Sequence, residues 1–286
     1  MDVNNLIAVD VGGSKIRVGS VNNIYTPQYI EATKKNSVLL QLKELINRVI
    51  ISQQMIEPLV IVGFPGYISK FGYLHQSYNL QLKDINIKKN LEESIPAHFI
   101  VINDSKLQGL SYLNQYNTSF YCVFGTGVGG VLISNGSIIT GYNGLAGELG
   151  HMYLQGCKLK CICGRTGCLE ASLSGRALIS RFGNNWWLRQ SDEISAYFVK
   201  YGRKLGILTD SICQLLNPEV FIYNGKIFQY NIFRDSIVAT YHKFSANFSK
   251  LLFVYDNWPL VIQGSINIAN AYYSQQLESI FNLIEQ

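Results

Sequence analysis

Apolar positions in this chain gather in short runs bounded by glycine and polar residues, the pattern of strands. LIAVDV at 6–11 and KIRVGSV at 15–21 read as two strands joined by the tight turn Gly12-Gly13-Ser14. HFIVIN at 98–103 reads as a buried strand that delivers Asp104 at its end, with a helical run over 105–114 behind it. FYCVF at 120–124 and VLIS at 131–134 read as strands on either side of GTGVGG, and Asn135-Gly136 supplies the next hairpin turn. A further strand is expected at Val220–Tyr223 and a closing helix over 265–284. Twice, then, the chain runs strand, glycine turn, strand, and apolar strands and helical stretches follow each time. This predicts an α/β protein with internally duplicated architecture, although the two halves share little sequence. Neither turn has the strand–turn–helix spacing of a dinucleotide-binding or Walker A loop.

Glycine turns bring backbone N–H groups close to a ligand, and two of them facing one another would cradle a polyphosphate. The candidates are Gly12, Gly13 and Ser14 in the first turn and Gly125, Thr126 and Gly127 in the second. Asp10 ends the first strand and could hold a magnesium ion through water, while Lys15 could offset phosphate charge. One such turn alone reads equally well as an ordinary hairpin; the repetition at equivalent places points to phosphate.

Four of the six cysteines fall within residues 157–168. His151, Cys161, Cys163 and Cys168 form a ligand set with the spacing C-x-C-x4-C, and Gly164 and Gly167 let that segment fold tightly. One imidazole and three thiolates suit a tetrahedral, structural Zn(II) with no position left for water. The alternative is a group of free thiols. Cys157 could replace one ligand, whereas Cys122 and Cys213 lie in apolar stretches and read as core. Glu148 just before the loop and Glu170 just after it would place a carboxylate at each end of an ion-pinned segment, an arrangement suited to a polyhydroxylated ligand.

Composition narrows the class. The chain has 286 residues, 48% of them hydrophobic and 15% charged, which is ordinary for a globular protein and long enough for two medium domains. A net charge of +5 with scattered basic residues gives no nucleic-acid stripe. No signal peptide and no membrane-spanning run is evident, so a soluble cytoplasmic protein is expected, with no membrane or nucleic-acid partner and no disulfide framework.

Several stretches occur in a familiar order: DVGGSK near the start, GFPG at 63–66, IND at 102–104, GTGVGG at 125–130, GLAGELGH at 144–151, CICGRTGCLE at 161–170 and LNPEVFIYNG at 216–225. Together they cover most of the chain and resemble the ROK family of sugar kinases and related repressors. The resemblance implies a two-domain actin-like, hexokinase-type (ribonuclease H-like) fold with an interdomain cleft. Domains are expected at 1–115 and 116–264, hinged near NQYNTS at 114–119, with the helix from 265 to the end returning to the first. It implies that Asp104 is the general base for transfer from ATP to a sugar hydroxyl. It also implies sugar contacts from Gly66, Asn79, Asn103, Glu148, His151 and Glu170, and an adenosine site near Gly225. Asn224 stands where the family usually has a second glycine. The expected partners are MgATP and a glucose-like hexose, or else an N-acetylhexosamine such as N-acetylmannosamine or N-acetylglucosamine, or allose or fructose; a homodimer is compatible with the family. Nothing before the first strand supplies a helix-turn-helix, which weighs against a sugar-sensing regulator.

Overall fold

The computed structural model describes residues 5–69, 72–142, 144–189, 191–245, 249–255 and 258–277. Contacts divide the chain into two compact units: Met1–Asn114 with Ser137–Ala146 and Asn257–Gln286, and Gln115–Gly136 with Gly147–Asp256. This differs from the expected boundaries in two places. Residues 137–146 group with the first unit, and the return to it begins at 257 rather than 265.

The first unit is built on strands β1 (Leu6–Val11), β2 (Lys15–Ser20), β3 (Tyr29–Ala32), β4 (Leu59–Phe64) and β8 (His98–Asn103), side by side in the order β3-β2-β1-β4-β8. β1 is antiparallel to β2 and parallel to β4, which is parallel to β8. Every residue of β1 and β4 is buried, as expected for strands covered on both faces. Helix α1 (Val38–Ser52) buries Val38, Leu42, Leu45, Ile46 and Val49, a stripe at helical spacing that joins Ile7, Val9, Val60 and Val62 in one core. A small sheet of β5 (Tyr67–Ile68), β6 (Tyr73–Ser77) and β7 (Leu82–Asn86) precedes helix α2 (Ile87–Glu92), whose first turn is capped by the Asn86 side chain. Helix α3 (Asp104–Gly109) follows β8 directly and runs into a 3-10 turn at Leu110–Tyr112. The predicted 105–114 helix is therefore short.

The second unit repeats the plan. Strands β9 (Thr118–Phe124) and β10 (Val128–Ser134) form an antiparallel hairpin, and β12 (Val220–Asn224) runs parallel to β9 and to β13 (Lys250–Val254). The short strand β11 (Ser137–Ile139), which groups with the first unit, follows β10 in the chain. Hairpin first, parallel strands beside it: the order β10-β9-β12-β13 mirrors β2-β1-β4-β8. Helices α4 (Glu170–Leu173), α5 (Gly175–Phe182), α6 (Asp192–Leu216) and α7 (Asn231–Phe244) complete the unit. Its core is aromatic: Phe120, Phe198, Phe221, Tyr223, Phe228 and Phe233 are all 5% exposed or less. Trp186 belongs to it, stacked on Tyr230, whereas its neighbour Trp187 is partly exposed.

Two differences from the sequence reading have clear causes. β10 begins at Val128 because Gly129 and Gly130 pair with Val123 and Cys122 through their backbone, so the glycine turn shrinks to Gly125–Gly127. Helix α8 (Trp258–Tyr273) begins seven residues before the predicted start. Pro259 sits in its first turn, where a missing N–H costs nothing; the predicted stretch from 278 onward lies outside the described residues.

Candidate active site

In the first unit the corner between β8 and α3 is built by Asn103. Its side-chain oxygen accepts the Lys106 backbone N–H at 3.1 Å and so caps α3, while its amide nitrogen donates to the Gly66 carbonyl at 3.0 Å. The cap is thus Asn103, and Asp104 is the first helical residue, half-buried, with Oδ1 accepting the Ser105 N–H at 2.8 Å. Gly66 has φ +126°, and a Cβ there would lie 2.4 Å from the Gln76 carbonyl oxygen, so only glycine brings this carbonyl to Asn103. Asn79 is half-buried in the turn between β6 and β7, two residues beyond Ser77, which packs against Gly66.

Sequence reasoning missed Lys106. It is 7% exposed, and its ammonium donates to the Gly144 carbonyl at 2.6 Å, tying α3 to the GLAG segment. Lysine is seldom buried, and nothing in the local pattern marks this one.

The glycine hairpin of the first unit closes on itself. Gly12 N–H donates to Lys15 O at 2.8 Å, and Thr33 braces it with its N–H on Ser14 O and its hydroxyl on Gly12 O. Ser14 and Lys15 are exposed. Asp10 is 5% exposed and forms an ion pair with Arg17, its cross-strand neighbour, whose Nε lies 2.9 Å away. Arg17 was not foreseen, although counting outward from the turn puts residues 10 and 17 opposite one another.

In the second unit the turn Gly125–Gly127 is held by Gly175 N–H on Gly125 O at 2.7 Å and by Arg176 N–H on Thr126 O at 3.3 Å. Gly225 adjoins it: at φ +142°, a Cβ there would stand 2.4 Å from the Phe124 carbonyl oxygen. The buried Asn224 side chain donates to the Tyr121 hydroxyl at 2.7 Å, so it braces the strand end from inside the core.

Glu148 is half-buried and precedes the 3-10 turn Leu149–His151. The ligand atoms of His151, Cys161, Cys163 and Cys168 all lie within 4.8 Å of one another. Cys163 Sγ is 3.7 Å from Cys168 Sγ, and Cys161 Sγ is 3.9 Å from His151 Nδ1. These separations fit a tetrahedral ion, whose sulfur–sulfur edges measure about 3.8 Å for metal–sulfur bonds of about 2.3 Å. Cys157 stands outside the group, with its thiol 3.0 Å from the Ser172 hydroxyl. Burial pushes the Cys161 thiol up to about 12 and raises Cys168 too. At Cys163 burial also acts upward, but the Arg165 backbone N–H and side chain, with the neighbouring thiols, outweigh it and bring the thiol below its usual value. Arg165 also donates to the His151 carbonyl at 3.0 Å.

Glu170 is held from several sides. It is 6% exposed, with Oε2 accepting the Val128 N–H at 2.9 Å and Oε1 facing Arg176 at 3.2 Å and Cys161 Sγ at 3.9 Å.

A sequence model of the ROK family matches residues 6–256. The chain belongs to the ROK family. This ROK protein is 36% identical over 132 residues to a glucokinase of Halalkalibacterium halodurans, covering 43% of the chain and 40% of that protein. It is 32% identical over 192 residues to an N-acetyl-D-glucosamine kinase of Mannheimia succiniciproducens, covering 60% and 63%. In both cases the aligned stretch spans less than two thirds of the relative. The structure superposes on a ROK glucokinase of Streptomyces griseus in complex with glucose and AMPPNP with a TM-score of 0.78 at 20% identity, covering 92% of this chain and 98% of that one. The fold is therefore the actin-like, hexokinase type of ROK kinases. Among the described residues no helix is long and apolar enough to cross a membrane.

Proposed function

We propose that this ROK protein is an ATP-dependent sugar kinase that phosphorylates the primary hydroxyl of a glucose-like hexose, with N-acetylhexosamines as the second substrate class. The observation that carries the reading is the β8–α3 corner, where a half-buried Asp104 carboxylate stands at the end of a parallel strand and Asn103 ties it to the GFPG turn. The strand end is where α/β proteins display reactive groups. The names of the two sequence relatives support the same chemistry.

Asp104 accepts the hydroxyl proton as the sugar oxygen attacks the γ-phosphorus of MgATP; the new phosphate ester forms as the bond to the ADP oxygen breaks. Little covalent help is needed for such a transfer, so positioning and charge neutralisation dominate. Gly66, Asn79, Asn103, Glu148, His151 and Glu170 supply sugar contacts, while Gly125, Thr126, Gly127 and Gly225 receive the nucleotide. In the first hairpin Gly12 N–H is spent on Lys15 O, so phosphate contacts there fall to Gly13, Ser14 and Lys15. Asp10, paired with Arg17, would hold through water the magnesium that enters with ATP. His151, Cys161, Cys163 and Cys168 would hold a structural zinc, which would fix the direction of the His151 ring.

The test is ADP release from MgATP with each of a panel of aldohexoses, ketohexoses and N-acetylhexosamines. Sugar-dependent release with at least one is expected. ADP release that no sugar stimulates refutes the kinase reading and favours a sugar-sensing regulator.

A further inference from the structure

The GLAG segment is seated in the first unit from two sides. The Gly144 carbonyl accepts the buried Lys106 ammonium of α3 at 2.6 Å. The Gly144 Cα lies over Tyr67 of β5: at φ +80°, a Cβ there would stand 3.1 Å from Tyr67 Cε2, so glycine lets the chain settle this closely. Tyr67 is itself fixed, stacked on His75 of β6 with ring centroids 4.4 Å apart. It adjoins Gly66, whose carbonyl accepts the Asn103 amide. Two residues beyond Gly144, the Ala146 N–H donates to Thr140 O at 3.0 Å and ties the segment back to the residue after β11. The seat is thus built on the corner that carries Asp104.

An ammonium is costly to bury, and an unbranched apolar side chain at 106 would fill similar space without that cost. What the charge adds is a short, strong hydrogen bond that fixes a carbonyl more firmly than a neutral donor would. Gly144 stands four residues before Glu148 in the chain. Gly147, between them, is held separately: a Cβ there would lie 2.7 Å from the Gly130 carbonyl oxygen of β10. Glu148 therefore departs from a stretch with a fixed point on either side of Leu145 and Ala146. We propose that Lys106 is a positioning residue for sugar binding: by holding Gly144 it fixes the segment that presents the Glu148 carboxylate. This deepens the kinase reading and rests on its assignment of Glu148 to the sugar.

The experiment uses Lys106→Met, Gly144→Ala, Glu148→Gln and the double variant of Lys106→Met with Glu148→Gln, each in the whole chain. Lys43→Met is the control, since the Lys43 ammonium reaches only the exposed Ser94 hydroxyl. Calorimetry measures affinity for the sugar that stimulates ADP release and, separately, for a non-hydrolysable ATP analogue. Lys106→Met weakens sugar binding by about tenfold, the size expected for losing a charged hydrogen bond. Analogue affinity stays within about twofold, as for a site whose contacts are unchanged, and Lys43→Met matches the parent. Gly144→Ala, which lifts the same point off Tyr67, gives the same signature. Glu148→Gln weakens sugar binding at least as much. The double variant stays within about threefold of Glu148→Gln, because a residue that acts through another adds little once that other is gone. Losses that multiply in the double variant put Lys106 off the path through Glu148 and overturn the proposal. Equal loss of sugar and analogue affinity marks general damage and overturns it, as does unchanged sugar affinity in Lys106→Met. Glu148→Gln with the parent's sugar affinity removes the sugar role of Glu148 and the proposal with it, while sugar-stimulated ADP release leaves the kinase reading intact. Parent protein whose ADP release no sugar stimulates refutes both. Should Lys106→Met not fold, Gly144→Ala takes its place in the cycle.

Discussion

Around Asp104 the first unit holds its side chains with main chain. Asn103 is clamped between the Lys106 N–H and the Gly66 carbonyl, Gly66 is pressed against Gln76, and the strand beneath is paired along its whole length with β4. Around Cys161 the second unit also uses main chain, with Leu154 N–H on Gly167 O, Cys161 N–H on Arg165 O and Gly167 N–H on Leu159 O, but in turns rather than in a sheet. From 152 to 168 the loop has two isolated bridges, Tyr153–Cys168 and Lys160–Thr166, and its centre is three thiols and an imidazole turned toward one another. The first arrangement is complete as a hydrogen-bonded structure. The second gathers sulfurs whose thiolate forms repel, and a bound cation would compensate them. The two regions thus differ in kind: one is closed by backbone geometry, and the other gathers a set of side chains that could hold an ion.

That contrast can be broken from either side. The largest effect is expected from Cys163→Ser, which removes one of four ligands. Bound zinc falls from about one per chain to a small fraction. Amide exchange across 149–170 speeds up, while exchange across 98–109 stays at the parent rate. Equal acceleration in both segments would mean that the two regions are not independently held. Gly66→Ala attacks the other side: a left-handed φ and a carbonyl 2.4 Å from the new methyl group should cost about 2–4 kcal/mol in urea unfolding, with zinc content unchanged. A loss under about 0.5 kcal/mol would show that the corner yields without strain. The smallest effect is a difference in rate. After chelation, iodoacetamide should modify Cys163 first, because Arg165 and its neighbours lower that thiol and it is only half-buried; Cys122, fully buried and pushed well up by that burial, should stay unmodified. Faster labelling of Cys122 would contradict the described burial.

The same contrast explains what was legible in the sequence. The gathering of His151, Cys161, Cys163 and Cys168 could be read because they lie within eighteen residues and their types suggest a shared ion. The strand that delivers Asp104 was readable, with its ends, from an unbroken apolar run. What escaped depends on tertiary partners. Glu170 meets Val128 forty-two residues away, and Lys106 is buried by a carbonyl thirty-eight residues distant. Neither pairing leaves a periodic trace. The ion pair of Asp10 and Arg17 is intermediate: the hairpin register determines it, but only once the turn is located at Gly12–Ser14. The duplicated architecture was visible as repeated order rather than repeated sequence, since covered strands need only be apolar.

The most direct measurement compares the parent enzyme with Asp104→Asn on the sugar that the panel selects, reading turnover by ADP release and sugar affinity by calorimetry. Loss of the general base should lower kcat by about a thousandfold while sugar affinity stays within about threefold of the parent. Asp104→Asn turning over near the parent rate would contradict the assignment of the base and, with it, the account of the β8–α3 corner as the seat of the reaction.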